Sequence, residues 1–481
     1  MISARLPAAV ALAGVLLASS AQAQQPSISW EPFTFEASVV GQMTGERGFL
    51  EVPVRHSDPG GAKIRLPVVR LKTTNPNPGP PVVFLAGGPG NAGTRSLTGA
   101  LAPNAARVSA FADVVAFDQR GTGASEPSLA VAGRFDLRSS ASVDSPAARD
   151  RLSALGGFIR TTVASRGIDL SAYNTLESAD DVELLRRALG AEQVVLWGHS
   201  YGTHLALAVI KRHGERVARA LLGGVNGLND RWRDPADSDA WLVRVGDAMR
   251  AAAPQGRRVD FVEQVRRVFA QLDKEPIRVS TADGDILIGK AEIQLLVTIE
   301  AGDLPFIQNL PVLFDSLEKR TGLEVVAKAV QQTIRQRPIG TAMTYAMHVA
   351  SGVSAERLAR IRVQAPAAIL GNAINWGIGD EAFVKALGVM DLGDGFRAPF
   401  RSRVTVLIMS GTLDGRAVEE DARRAAAQFD RMSYVTIDGA AHDFWFLRPP
   451  PRVPEVTAAF LRGEAVRDER ITWPVSFRWP E

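Results

Sequence analysis

The stretch that most constrains this chain is Gln193 to Ala206, QVVLWGHSYGTHLA. Val194 to Trp197 is a short β-branched and apolar run that enters Gly198-His199-Ser200-Tyr201-Gly202 directly, and apolar residues resume beyond it at helical spacing. That succession predicts strand, tight turn, helix. A serine at the centre of such a turn sits on a strained backbone that only small flanking residues permit, so its hydroxyl stands clear of the sheet edge. In a chain with 43 glycines the pentapeptide alone is common by chance, and its weight comes from the strand before it and the helix after it. A serine there is useful as a nucleophile only if other regions supply a base and a carboxylate.

Taken in order, the chain first shows Thr34 to Val40, Gly48 to Val54 and Lys63 to Leu71, short alternating runs separated by turn-rich pieces, which predict an antiparallel meander. The linker Asn75 to Pro81 ends it. Two continuous apolar runs follow, Val82 to Leu85 and Val114 to Phe117, as expected of parallel strands buried on both faces. The first opens into Ala86-Gly87-Gly88-Pro89-Gly90 and the second into Asp118-Gln119-Arg120-Gly121-Thr122-Gly123-Ala124-Ser125. A helix over Ser178 to Leu189 is expected to start on a capping-box-like Ser178-Ala179-Asp180-Asp181. Further buried strands are expected at Ala218 to Leu222, Val404 to Met409 and Val435 to Ile437, with a closing helix over Val453 to Leu461.

Between Gly227 and Arg397 the buried-strand signature is missing. Amphipathic segments take its place at Trp241 to Ala252, Val259 to Leu272, Lys290 to Glu300 and Leu323 to Arg335, with a small hairpin over Ile277 to Ile288 that turns at Asp283-Gly284. Strands alternating with helices on both sides of this block argue for an α/β fold with a mostly parallel sheet flanked by helices, carrying a large, mainly helical cap insertion. The expected division is 1–23 as a leader, 24–226 as the first part of the core, 227–397 as the cap and 398–481 as the second part of the core.

A serine alkoxide near neutral pH needs a base, and the base needs a carboxylate to fix its tautomer. The strand at Val404 to Met409 leads into Ser410-Gly411-Thr412-Leu413-Asp414-Gly415, and the next strand leads into Asp438-Gly439-Ala440-Ala441-His442-Asp443. Taken alone, Asp414 reads as a turn residue before Gly415 and His442 as an ordinary loop histidine. The order Ser200, Asp414, His442, each after a strand, is the order of the α/β-hydrolase triad and selects these three as the catalytic candidates; Asp438 is a minor substitute for Asp414. The transition state also needs two donors aimed at the developing oxyanion. The backbone N–H of Tyr201 is the expected first one, and the second is assigned to Gly87, with Gly88 as the alternative. The Gly-Gly-Pro-Gly loop also reads as a plain turn, and it lacks the spacings of a phosphate cradle. Of the other histidines, His199 and His204 are expected in structural roles, His56 and His213 at the surface, and His348 in the cap as either a scaffold residue or a substrate contact.

Composition narrows the chemistry. No cysteine is present, which excludes a thiol nucleophile, a disulfide framework and a lipid anchor on cysteine. The six histidines show no metal-ligand spacing, so neither a metal nor a cofactor is expected. The 55 Lys and Arg nearly balance 52 Asp and Glu, with no basic run of the kind that binds nucleic acid. The first residues combine Arg5, an apolar stretch from Ala8 to Ala18 and Ala21-Gln22-Ala23, which read as an export signal cut near Gln24; no stretch is long enough for a membrane span. A periplasmic or extracellular location is therefore expected.

The four loop motifs Gly87-Gly88-Pro89-Gly90, Asp118 to Ser125, Gly198 to Gly202 and Ser410 to Gly415 occur in an order that resembles the proline iminopeptidase and tripeptidyl aminopeptidase group of α/β-hydrolases. The resemblance covers the core, roughly 290 residues, and barely touches the cap. Where proline iminopeptidases usually carry histidine before GGPG this chain has Ala86, which places it nearer the secreted tripeptidyl-type members. The resemblance implies a helical cap, cleavage of short peptides from a free amino end, and acidic cap residues that hold the α-ammonium. Asp237, Asp239, Glu300 and Asp303 are candidates for that task, with Glu300 and Asp303 carried forward as substrate-binding residues. A small ester or lactone is the alternative substrate for the same triad. Asp118 and Arg120 are expected to organise the loop beneath the site.

Overall fold

A computed structural model of the chain describes residues 25–37, 40–136, 142–281, 284–377 and 379–481. The expected leader and Asp283 of the hairpin turn lie outside these residues.

The strands are β1 (Glu31–Ala37), β2 (Gly41–Pro53), β3 (Lys63–Leu71), β4 (Val82–Leu85), β5 (Val114–Phe117), β6 (Ala130–Phe135), β7 (Val194–His199), β8 (Val217–Gly223), β9 (Ile277–Thr281), β10 (Gly284–Ile288), β11 (Arg337–Thr341), β12 (Thr405–Gly411), β13 (Met432–Asp438) and β14 (Glu469–Thr472). Ten of them form one sheet in the order β1-β2-β3-β5-β4-β7-β8-β12-β13-β14. The first three are an antiparallel meander, and β3 meets β5 antiparallel. From β5 to β14 every neighbouring pair is parallel.

The central strands are buried on both faces, and their residues alternate between two apolar clusters. Val194 and Leu196 of β7 join the cluster on one side, where the helix Tyr201–His213 packs. Val195 and Trp197 join the other, where Trp197 meets Phe84 and Trp445 edge to face at 5.7 and 5.6 Å. A third cluster lies in the block between β8 and β12, around the helices Pro235–Ala251, Phe261–Lys274, Lys290–Glu300 and Leu304–Lys319. Stripped of that block the topology is the α/β-hydrolase fold, a mostly parallel sheet flanked by helices.

Several boundaries differ from the sequence expectation. The helix expected from Ser178 begins at Thr175: Asn174 is its N-cap, taking N–H bonds from Leu176 and Glu177 at 3.0 and 3.1 Å, and Ser178 lies buried inside the helix. Strand β2 begins at Gly41, because its outer half pairs with β1 through polar residues that show no apolar alternation. The helix Leu304–Lys319 passes unnoticed in the sequence since Pro311 interrupts its pattern. So does the pairing of β6 with β11, two short, largely exposed strands some 200 residues apart.

Candidate active site

Ser200 stands at the junction of β7 and the helix Tyr201–His213 with φ 54, and among the described residues only Arg320 shares a positive φ without being glycine. Such a conformation costs on the order of 1–3 kcal/mol and persists only where the surroundings force it. Here they do. A Cβ on Gly202 would lie 1.9 Å from the Leu85 carbonyl oxygen, and one on Gly198 would lie 2.8 Å from the Gly202 oxygen, so both flanking positions require glycine. The Ser200 N–H donates to the Gly223 carbonyl at the end of β8 at 2.9 Å, and the Ser200 carbonyl takes the Thr203 N–H at 2.8 Å. Tyr201 is buried, its hydroxyl 2.9 Å from Thr175 Oγ1.

His442 and Asp414 meet as the order of the motifs requires. His442 Nδ1 lies 2.7 Å from Asp414 Oδ2, both side chains buried. The other carboxylate oxygen takes the N–H groups of Arg416 and Ala417 at 2.8 and 2.9 Å. Burial alone would push Asp414 up, but His442 and those two backbone donors bring it below the usual carboxylate value. The ionised acid accepts, so His442 carries its proton on Nδ1 and presents Nε2 as an acceptor. The pair sits over Gly224, where a Cβ would fall 2.9 Å from His442 Cε1 and 3.4 Å from Asp414 Oδ2. Gly224 directly follows the residue that fixes the Ser200 backbone, so the candidate nucleophile, base and acid share one support.

The loop after β4 closes on the other side. A Cβ on Gly87 would stand 2.9 Å from Ser200 Cβ, so Gly87 backs directly onto the serine, while Gly88, with φ 109, lines the adjoining cavity. Below it, Gln119 Nε2 donates to the Ala86 carbonyl at 3.1 Å. Asp118 takes the Thr94 and Ala124 N–H groups, and Arg120 grips Asp181 through Nε at 2.8 Å and Nη2 at 2.6 Å. The Asp118-to-Ser125 segment is thus a buried support for the loop. From the inserted block, Thr344 Oγ1 donates to the Pro89 carbonyl at 2.6 Å.

A cavity of about 600 Å³ opens on Ser200 and His442. Its lining includes His348, which accepts from Arg231 Nε at 3.1 Å, so the histidine of the helical block between β8 and β12 does face this space. Glu300 and Asp303 do not line it. Glu300 is 3.4 Å from Thr333 Oγ1, and Asp303 caps its own helix by taking the Phe306 N–H at 2.7 Å. Asp237 is held by Arg424 and Asp239 by the Ile369 N–H, both at 3.0 Å. None of the four is aimed at the cavity, because each already serves a local backbone or side-chain partner. The acids that do line it are Asp230 and Asp443, and the bases Arg231, Arg233, Arg337 and Arg416, none of them singled out by motif. For Asp230, Arg231 and Arg233 the one sequence signal is the charged run Asn229 to Asp234, a few residues after β8 at the sheet's carboxyl edge.

The remaining histidines divide between core and ion pairs. His204 is buried between the Gly227 carbonyl and Ser351 Oγ at 2.9 and 3.0 Å. His199 Nε2 lies 3.1 Å from the His442 carbonyl, and burial next to His442 lowers its pKa to about 4. His56 and His213, expected at the surface, are partly buried against Asp181 and Asp180 at 2.8 and 2.7 Å. Asp438 is engaged by Arg470 rather than His442. Ligating atoms of His199, His442 and Asp443 come within 4.8 Å of one another.

Residues 80–267 match the family described as alpha/beta hydrolase fold. The serine protease Hip1 of Mycobacterium tuberculosis is 29% identical over 200 residues, 40% of this chain and 37% of that protein. The tripeptidyl aminopeptidase of Streptomyces coelicolor is 28% identical over 220 residues, 43% of this chain and 39% of its own, and that of Streptomyces lividans 29% over 221 residues, 43% and 40%. The matches therefore span about two fifths of the length of these curated relatives. Among the described residues no helix is long and apolar enough to cross a membrane. In sheet order and in its strand-to-helix serine turn the chain has the α/β-hydrolase fold, and it is a distant relative of a serine protease and of tripeptidyl aminopeptidases.

Proposed function

We propose that the protein is a serine hydrolase that works through an acyl-enzyme. Ser200 Oγ attacks the scissile carbonyl carbon as its proton passes to His442 Nε2, and Asp414 holds the resulting imidazolium. The N–H groups of Tyr201 and of Gly87 or Gly88 receive the oxyanion. His442 returns the proton to the departing amine or alcohol, then takes one from water, whose oxygen attacks the acyl carbon; the acid leaves and Ser200 regains its hydrogen. The observation that carries this reading is the 2.7 Å contact between His442 and Asp414, held over Gly224 beside the strained Ser200.

The relatives favour a peptidase acting on short peptides with a free amino end. Residues 227–397 then act as the cap that sets specificity over a core of 24–226 and 398–481, and residues 1–23 direct export. An esterase or lactonase is the second reading. It is favoured by the absence of Glu300 and Asp303 from the cavity lining, which leaves the α-ammonium without its expected acids. The purified protein and Ser200→Ala are to be offered aminoacyl and tripeptidyl arylamides with free or blocked amino ends, beside short-chain acyl esters. Cleavage confined to free-amine peptides supports the peptidase, and ester turnover indifferent to an amine supports the esterase. Turnover of neither, or turnover surviving in Ser200→Ala, sinks the hydrolase reading. Amino-terminal sequencing of the exported protein should begin near Gln24.

A further inference from the structure

Five arginines are buried among the described residues: Arg120, Arg186, Arg231, Arg357 and Arg397. Four of them hold a carboxylate, on Asp181, Glu183, Asp230 and Asp391 respectively. That is the usual condition of a buried guanidinium, since an uncompensated one is costly. Arg231 is the exception. Its donors go to Asn226 Oδ1 and His348, both neutral, and its guanidinium lies 5.7 Å from the Tyr201 ring, next to the nucleophile.

Arg231 also has like-charged company. Arg233 reaches only the Gly415 carbonyl at 3.4 Å, and Arg416 the Ile299 carbonyl at 2.9 Å. Neither has a carboxylate within ion-pair distance among the described residues, and both line the same cavity as Ser200 and His442. Of the two acids there, Asp230 is already held by Arg357 and Arg424, which leaves Asp443 beside His199. Burial, with Arg233 as the like-charged neighbour, lowers Arg231 to about 10, and burial with Arg416 lowers Arg233. The stem of Arg416 flanks the base: a Cβ on Gly302 would lie 2.7 Å from both Arg416 Cδ and His442 Cβ.

Three guanidinium groups that repel one another and lack an anion are held together at a cost in stability, and a bound anion would relieve it. We propose that Arg231, Arg233 and Arg416 form a carboxylate-binding subsite, so that the preferred substrate bears a free carboxylate close to the hydrolysed bond. This rests on the serine hydrolase reading and names the class of substrate for the same cavity. The carboxylate comes either from the acyl part, as in a dicarboxylic half-ester, or from the leaving part, as at the carboxyl end of a short peptide.

Two matched pairs of substrates separate these sources. The first is 4-nitrophenyl hemiglutarate against 4-nitrophenyl pentanoate; the second is a tripeptide with a free against an amidated carboxyl end. In the native protein the charged member of one pair should show kcat/KM at least tenfold above its neutral partner at low salt. Which pair does so identifies the source. Arg233→Gln and Arg416→Gln should bring that ratio towards one, while Arg233→Lys retains part of it. Ser200-dependent turnover of the neutral members without any preference for the charged ones overturns the subsite and leaves the hydrolase standing, as does a preference that both glutamine variants keep. If nothing is hydrolysed, or the variants do not fold, calorimetric titration of Ser200→Ala with glutarate and with glutaramide decides. Saturable binding of glutarate alone supports the subsite, and equal or absent binding overturns it.

Discussion

At the scale of single residues the candidate site depends on which atom of His442 holds the proton. Asp414 decides this by accepting at Oδ2 from Nδ1, and it is kept ionised against its burial by three N–H donors. In Asp414→Asn the Oδ1 atom can still cap the Arg416 and Ala417 N–H groups, but the amide nitrogen faces His442 Nδ1 and imposes the opposite tautomer. We expect kcat to fall on the order of 10⁴-fold, as for a triad whose carboxylate becomes an amide, with Tm within a few degrees of the parent. Steady-state kinetics and a thermal melt check both. A lost fold would show that Asp414 is needed for stability instead. Gly224→Ala tests the support beneath: its Cβ would strike His442 at 2.9 Å from a backbone at φ 62, so kcat should drop about 100-fold or more with little change in KM. The three triad candidates were legible because each falls directly after an apolar strand in a fixed order. Arg231, Arg233 and Arg416 were not, since an arginine without a carboxylate partner differs from an ion-paired one only in three dimensions.

At the scale of elements, legibility followed burial. Strands β4 and β5, apolar at every position, occupy the residues their sequence predicts. Strand β14, with Ile471 as its single buried residue, left no periodic trace, and β6 and β11 find each other across the inserted block through backbone bonds that composition does not encode. The helix Thr175–Ala188 shows the same limit at its start, where Asn174 rather than Ser178 takes the free N–H groups. Replacing Asn174 by alanine should therefore cost about 1 kcal/mol, while Ser178→Ala should leave that cap untouched. A larger effect is expected one turn on. Asp181 is buried, bonded to both Nε and Nη2 of Arg120, so Asp181→Asn strands a guanidinium beneath the loop that carries Gly87 and should cost 3–5 kcal/mol, on the order of a broken buried pair. Urea unfolding of Asn174→Ala and Asp181→Asn side by side gives the ranking; equal losses would mean the ion pair is already well compensated by the Val54 and Ala172 carbonyls that Arg120 also reaches.

At the scale of the whole molecule, the histidines around the cavity set the response to acid. His204, lowered to about 3 by burial and then by Arg231, and His199, lowered to about 4 by burial and then by His442, are neutral in the fold; burial and Arg231 hold His348 well below its ordinary value too. In the unfolded chain each titrates near 6.5. Between that value and about pH 4 the unfolded state therefore binds protons that the folded state refuses, and each group removes up to about 1.4 kcal/mol of stability per pH unit of acidification. Asp421 has the opposite sign. Burial and the nearby Asp230 raise it well above its usual value, so it keeps a proton in the fold that the unfolded chain releases above about pH 4, and acidification favours the folded state through it. Three groups against one leave a net loss on the order of 2–3 kcal/mol per pH unit at the steepest point. The urea midpoint should accordingly fall sharply from pH 6.5 to 4.5. In His348→Gln, where the amide oxygen can still accept from Arg231, the fall should be shallower by about half, because two refused protons against the one that Asp421 keeps leave a net of one instead of two. An unchanged slope would mean that His348 protonates in the folded state, and the cluster of Arg231, Arg233 and His348 would then be far better solvated than its burial implies.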